Sequence, residues 1–272
     1  MVPESIRYCL EKAYALAITG RPGPCWLDIP LDVQGAYVEA EELKGYDTSN
    51  NMGQPVESHV MPPWLPGIVD LLKKAKRPVL YAGNGIRLAH GTGALQKLIH
   101  QLNIPIVTCW DSIDLVDNEN PCFCGRGGTM GDRAGNFAVQ NSDLLLCVGT
   151  RLNIYQVGYN VDTWARAATT VVVDIDSEEL RKKTIRADIP ICADAAYFLR
   201  VVSLAMEGTQ PRDTSLWLQQ CQFWKTQYPV VRNEQRNATG KVNVYAFVDS
   251  LSRVLPAGAN YQIGRASCRE RV

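Results

Sequence analysis

The sequence has no charge excess: 28 basic residues balance 28 acidic ones, and neither sign forms a long run. Bulk attraction to nucleic acid or to an anionic membrane surface is therefore not expected. No apolar stretch is long enough to cross a bilayer, and Met1-Val-Pro-Glu4 lacks the basic-then-apolar pattern of a secretion signal. The expectation is a soluble, cytoplasmic protein. Histidine is scarce. His59, His90 and His100 are the only three and stand far apart, with no Gly-x-Ser-x-Gly elbow to pair with, which argues against a hydrolytic triad. Zinc spacing is missing too, since Cys122-Phe-Cys124 is the only close pair among nine cysteines and has neither a two-residue spacer nor a second pair. An odd number of scattered cysteines in apolar runs predicts buried thiols rather than disulfides.

What is present is a repeated plan. Val79 to Ala82 is a short apolar run that ends at Gly83-Asn-Gly85, the pattern of a buried parallel strand delivering the backbone to a tight turn. Leu144 to Arg151 and Thr170 to Asp176 repeat it, so small and acidic residues gather at the carboxyl ends of several strands. That edge is where open α/β sheets bind ligands. Strands are also expected at Ile104–Thr108 and Ile189–Cys192. Helices are expected at Gly67–Ala75, around Ala94 to Leu102, near Asp132 to Asn141 and over Ala195–Ala205 with Asp194 as cap. Asp176-Ser-Glu-Glu179 has the spacing of a capping box, in which the last side chain reaches back to the capping residue's amide. Strand and helix alternate from Arg77 to Ala205, which predicts one doubly wound, parallel-sheet, Rossmann-like α/β domain.

The flanks differ. A helix opened by Ser5 has Ile6, Cys9, Leu10, Ala13 and Ala17 on one face, and Gly20-Arg-Pro-Gly-Pro24 stops it. Cys25-Trp-Leu-Asp-Ile29 is a predicted strand whose partners must lie outside this piece, because one strand cannot stand alone. Residues 36–66 are polar, then proline-rich, as linkers are. Beyond Gly208 a second linker precedes helical patterns at Trp217–Tyr228 and around Val244 to Leu251, and Pro256-Ala-Gly-Ala-Asn260 is expected to lead into a strand. The last ten residues, Ile263 to Val272, can be back-translated into a sequence resembling a sequencing-library adapter. They are set aside as an artefact, and the true chain is expected to continue past Gln262.

Several ordered segments resemble a known family. Gly20-Arg-Pro-Gly-Pro-Cys-Trp-Leu-Asp-Ile-Pro-Leu-Asp-Val-Gln34 is similar to the end of the pyrimidine-binding domain of thiamine-diphosphate enzymes of the acetolactate synthase type. Arg77-Pro-Val-Leu-Tyr-Ala-Gly-Asn-Gly85, Gly131 to Asp143, Gly149-Thr-Arg-Leu-Asn153 and Val173-Asp-Ile-Asp176 resemble landmarks of that family's central domain. The resemblance implies residues 1–40 as the end of the pyrimidine-binding domain, 41–66 as linker and 67–206 as the central domain. It implies 207–262 as linker and start of the diphosphate-binding domain. It also implies a homo-oligomer, dimer or tetramer, that binds thiamine diphosphate and Mg2+, decarboxylates a 2-keto acid and transfers a two-carbon unit. The glutamate that activates thiamine and the Gly-Asp-Gly-to-Asn segment that holds magnesium would precede Met1 and follow Gln262, so this piece should be inactive alone.

In flavin-binding members the central domain holds FAD. Carried over by position, the cofactor-facing candidates are Arg21, Gly83, Gly85, Thr108, Gly128, Thr129, Gly149, Arg151, Asp174 and Asp176. Glycines permit close approach of backbone amides to diphosphate, arginines pair with phosphate through two bonds, and the aspartates accept from ribose hydroxyls. Two departures leave FAD, another nucleotide or none as alternatives: Asn153-Ile-Tyr155 replaces an Asp-Asp-Arg run, and Gly127 replaces a histidine. Plainer roles stand beside these. Gly83-Asn-Gly85 lacks the third glycine of a dinucleotide fingerprint, with Leu88 in its place. Arg151 binds nucleotide or pairs with an acid such as Asp174, while Arg126 and Arg133, at the glycine-rich loop expected over Cys124-Gly-Arg-Gly-Gly-Thr129, are expected to be solvated. Tyr155, Tyr159 and Trp164 are expected to pack the sheet edge rather than stack on a flavin. The rival functions are a thiamine-diphosphate decarboxylase and a free-standing flavin- or NAD-binding module.

Overall fold

The computed structural model describes residues 2–47, 61–185, 187–209, 212–237 and 239–256. His59, Cys268, much of the 41–66 linker, the expected strand entry at 257–260 and the tail at 263–272 lie outside the described residues. Contact clustering divides the chain into two compact units, one up to Lys225 and one from Thr226.

In the first unit six strands make one sheet: β1 (Pro78–Ala82), β2 (Ile106–Thr108), β3 (Phe123–Arg126), β4 (Leu144–Val148), β5 (Thr169–Asp174) and β6 (Ile189–Cys192). Every pairing is parallel, in the order β3-β2-β1-β4-β5-β6. The doubly wound α/β expectation holds. All positions of β1 and β4 are buried, as continuous apolar runs require when both sheet faces are covered. The helix Thr92–Leu102 buries Leu95, Leu98, Ile99 and Leu102 and packs against Ala195–Met206, which also meets Leu65–Lys74. That last helix begins two residues before the expected Gly67. Pro66 sits in its first turn, where a missing N–H has no partner to lose. Arg133–Asn141 lies against β1, β2 and β3.

Cys124-Gly-Arg126 was expected in a glycine-rich loop and is instead the body of β3. Gly125 adopts φ +115° there, and the pairing with β2 shifts register between Ile106 and Val107, a bulge that only glycine enters without strain. Nor is Arg126 simply solvated. Asp132 accepts from the Arg126 backbone N–H at 2.9 Å and from its guanidinium at 3.0 Å. Asp132→Ala should cost about 1–2 kcal/mol, as for loss of a charged hydrogen-bond acceptor, read as a lowered urea midpoint with unchanged slope.

The N-terminal piece departs further from expectation. Cys25–Ile29 has no regular secondary structure and pairs with no strand of the sheet, and Trp26 is 92% exposed. The helix Ile6–Ile18 forms; on its apolar face Ile6, Cys9, Ala13 and Ala17 are half-buried and Leu10 is exposed. Among the described residues the thiols are free. Cys109, Cys122, Cys124, Cys147 and Cys221 are buried as expected, whereas Cys25 and Cys192 are exposed.

The helix Ser215–Gln227 docks on the sheet through its first turns. Trp217 donates its indole N–H to the Pro78 carbonyl at 3.1 Å, and the Gln222 amide donates to the Phe123 carbonyl at 3.1 Å. Trp217 and Cys221 are buried on one face, in line with the predicted stripe. In the second unit, Asn243 caps the helix Val244–Val254 by accepting from the Tyr245 and Ala246 amides. Asp249 pairs there with Arg236 and Arg253.

Candidate functional site

Between β1 and β4 the strand order reverses, and connections leave the sheet in opposite directions. The carboxyl ends of neighbouring strands then part and leave a crevice. A cleft of about 190 Å³ occupies this place, bounded by Asn84 and Gly85 after β1, Gly149 to Arg151 after β4, Asp174 and Ile175 at the end of β5, and Ala193 to Ala195 after β6. Gly20, Arg21 and Pro22 form another part of its wall. The N-terminal turn thus contributes to a site built on the sheet.

Glycine has a different purpose here from the one expected. A Cβ on Gly83 would lie 2.3 Å from the Gly149 carbonyl oxygen, and one on Gly85 would lie 2.8 Å from the Gly149 Cα. The Gly85 N–H donates to that same carbonyl at 2.8 Å. These glycines let the ends of β1 and β4 touch backbone to backbone. Gly149 itself sits at φ +60°, in the left-handed region that glycine tolerates best.

One carboxylate organises the charges. Glu179 follows β5 in the short helix Ser177–Leu180, and its Oε1 accepts from Arg21 at 2.9 Å and from Arg151 at 2.6 Å. Lys182 pairs with its other oxygen and donates to the Arg151 carbonyl at 2.7 Å. Burial works against the charged form, but the bonds from Lys182, Arg151 and Arg21 outweigh it and bring the carboxyl down to about 2. The expected capping box is therefore half made. Asp176 caps by accepting from the Glu178 amide, while Glu179 turns to the cations instead of reaching back. Arg151 pairs with Glu179 and not with Asp174. Asp174 is 7% exposed, burial pushes its carboxyl up, and the Asp176 N–H donates to it at 2.9 Å.

Of the ten candidates, Arg21, Gly85, Gly149, Arg151 and Asp174 line the cleft. Asp176 stands beside it, 3.7 Å from Arg21. Gly83, Thr108, Gly128 and Thr129 are not lining residues. Thr108 is fully buried, with its hydroxyl unpartnered. Gly128 and Thr129 are fastened to the next loop: the Thr129 N–H donates to the Tyr155 carbonyl at 2.7 Å, and a Cβ on Gly128 would lie 2.4 Å from that oxygen. The two departures from the flavin-binding pattern have local causes. A side chain at Gly127 would meet the Tyr81 hydroxyl at 2.8 Å. Asn153 opens the helix Ile154–Val157 by a capping box with Gln156, whose amide donates to the Thr150 hydroxyl at 2.7 Å. Trp164 packs as expected against Tyr81, but Tyr155 and Tyr159 are exposed. Cys109 also lines the cleft and donates to Asp111 at 2.6 Å; burial and that bond push its thiol up to about 11, which leaves it a poor nucleophile at neutral pH.

Strand order and crevice together define an open, doubly wound, parallel-sheet α/β domain with a cleft at its switch point. Residues 65–202, about half of the chain, match the family described as thiamine pyrophosphate enzyme, central domain, and the chain belongs to that family. Among curated proteins it is similar to the acetolactate synthase large subunit of Corynebacterium glutamicum, 32% identical over 274 residues, 96% of this chain and 41% of that protein. The large subunit of Parasynechococcus marenigrum is 32% identical over 84% of this chain and 37% of its own length. A probable large subunit of Methanocaldococcus jannaschii is 30% identical over 80% of this chain and 36% of its own. The chain thus spans well under half the length of these relatives.

Among the described residues no group of three or more His, Cys, Asp or Glu side chains is placed to hold a metal ion. No helix among the described residues is long and apolar enough to cross a membrane.

Proposed function

We propose that this chain is the middle of an acetolactate-synthase-like enzyme that decarboxylates a 2-keto acid and transfers a two-carbon unit, with thiamine diphosphate and Mg2+ held by segments outside it. Residues 1–40 would end the pyrimidine-binding domain, 41–66 would link, 67–206 would be the central domain and 207–262 would lead into the diphosphate-binding domain. The full-length protein would be a homo-oligomer. The cofactor supplies the carbanion chemistry; this chain supplies a rigid sheet and the switch-point crevice, a nucleotide site lined by Arg21, Gly85, Gly149, Arg151 and Asp174.

The observation that carries this proposal is the unpaired segment Cys25–Ile29. A run with a strand's residue pattern, unpaired and with Trp26 almost fully in water, is what a strand looks like when its own sheet is elsewhere. Had it joined β1, the chain would be self-contained and the free-standing module favoured. The test restores the flanking genomic sequence. The extended protein should consume pyruvate or another 2-keto acid only with thiamine diphosphate and Mg2+, and the 272-residue chain should show no turnover under either condition. A thiamine-independent extended protein, or turnover by the short chain, would overturn the assignment.

A further inference from the structure

We infer that Cys124 and Cys221 form a redox-active dithiol, which closes to a disulfide by exchange with a small-molecule disulfide such as oxidised glutathione and so fastens the helix Ser215–Gln227 to β3. The first argument is placement. Cys124 stands in the body of β3 and Cys221 on the buried face of the helix, and neither has any exposed surface. Their thiols are in hydrogen-bond contact. The next residue along the helix fixes this register: the Gln222 amide donates to the Pro121 and Phe123 carbonyls at 2.6 Å and 3.1 Å, and to the Cys124 sulfur at 3.8 Å. Cys122, the other thiol nearby, is engaged elsewhere and donates to the Asn103 side chain at 3.3 Å. Two sulfurs already in contact lie within reach of bond formation.

The second argument is access. While the helix is docked, the Cys124 sulfur and burial push the Cys221 thiol up, and a protonated thiol is a poor nucleophile. Docking therefore gates the chemistry. The helix lies at the end of the first compact unit and buries only Trp217, Leu218 and Cys221, while Leu216 and Phe223 are exposed. Apart from Gln222, its polar ties to the sheet and its loops are Trp217 to the Pro78 carbonyl and Lys225 to the Asn118 carbonyl. Elements with few buried contacts open ahead of the rest. Once the helix lifts, the Cys221 thiolate attacks the small disulfide and releases one half as a thiol. On redocking, Cys124 attacks the Cys221 sulfur, forms the protein disulfide and releases the other half. Two protons and two electrons pass from the cysteines to the small disulfide, which leaves as two thiols.

The test is peptide mass spectrometry on the full chain after equilibration with oxidised glutathione under native conditions, with remaining thiols blocked by N-ethylmaleimide and digestion without reductant. The Cys124 and Cys221 peptides should be joined, about 2 Da lighter than the two reduced peptides together, and dithiothreitol should separate them. Gln222→Ala should quicken bridging about fivefold, the factor that one hydrogen bond of ordinary strength supplies. Cys124→Ser should leave Cys221 as a mixed disulfide with glutathione. The inference fails if Cys124 and Cys221 stay unbridged while the exposed Cys25 and Cys192 have taken up glutathione, or if Cys221 joins Cys122 instead. It fails equally if the bridge appears only in denaturing urea, or if Gln222→Ala bridges no faster than the parent.

Discussion

Replacing Gly83 by alanine is expected to cost about 3 kcal/mol of stability, at the upper end of what forced overpacking usually costs. The added methyl would lie 2.3 Å from the Gly149 carbonyl oxygen and 2.5 Å from the Thr150 Cα. Both are backbone atoms at the end of a fully buried strand, and neither can rotate away as a flexible side chain would. Either β1 and β4 separate at their carboxyl ends or the Gly149 turn moves, and each alternative displaces residues that line the cleft. Gly93 gives the control. It lies inside the helix Thr92–Leu102 with nothing within 4 Å of an added Cβ, so Gly93→Ala should stabilise by about 0.5–1 kcal/mol through helix propensity alone. Urea midpoints of the two variants should fall on opposite sides of the parent. Equal midpoints for Gly83→Ala and the parent would mean that the strand ends are not in contact.

These glycines also show how far the sequence could be followed. Apolar runs ending in small residues located β1, β4 and β5, because strands buried on both faces announce themselves by continuous hydrophobicity. β3 was hidden. Its body is Cys124-Gly-Arg126, and a bulged glycine at φ +115° resembles loop chemistry when only the residue types are visible. Gly83 and Gly85 were expected to let a diphosphate approach the backbone, and the fold adds a second demand on the same positions, the close approach of the Gly149 main chain. The Arg21–Glu179 bond joins residues 158 apart in sequence, beyond the reach of any local pattern. Asp-x-x-Glu spacing even pointed the other way, since a cap can be inferred from four residues and a three-cation cluster cannot. Cys25–Ile29 carried enough strand propensity to be expected as a strand, and what it lacks is a neighbour within the sheet.

Glu179→Gln should cost about 2 kcal/mol at pH 7 and nothing at pH 2. The carboxyl is lowered from its ordinary 4.5 to about 2, so its contribution is fully present above the unfolded value and is lost as pH falls from about 5 to about 2. The full shift would correspond to about 3 kcal/mol. Arg151 is 62% exposed along its side chain, and water weakens its share of the attraction, which brings the figure to about 2. Asp174 acts with the opposite sign: its carboxyl is raised by burial, so it favours the folded state most when protonated. The Glu179 charge is itself one cause of that raise, so Asp174 relaxes in the variant and the difference between the two stability–pH curves reports both carboxyls, with Glu179 dominant. The difference should open between pH 2 and pH 5 and stay flat above. The turn at Arg21 loses its tether in the variant, so limited proteolysis of the N-terminal segment by a protease of broad specificity should quicken alongside the loss of stability, the Arg21–Pro22 bond itself being a poor site for an arginine-specific enzyme. Parallel curves across the acid range would mean that the Glu179 cluster contributes nothing to holding the N-terminal turn against the sheet.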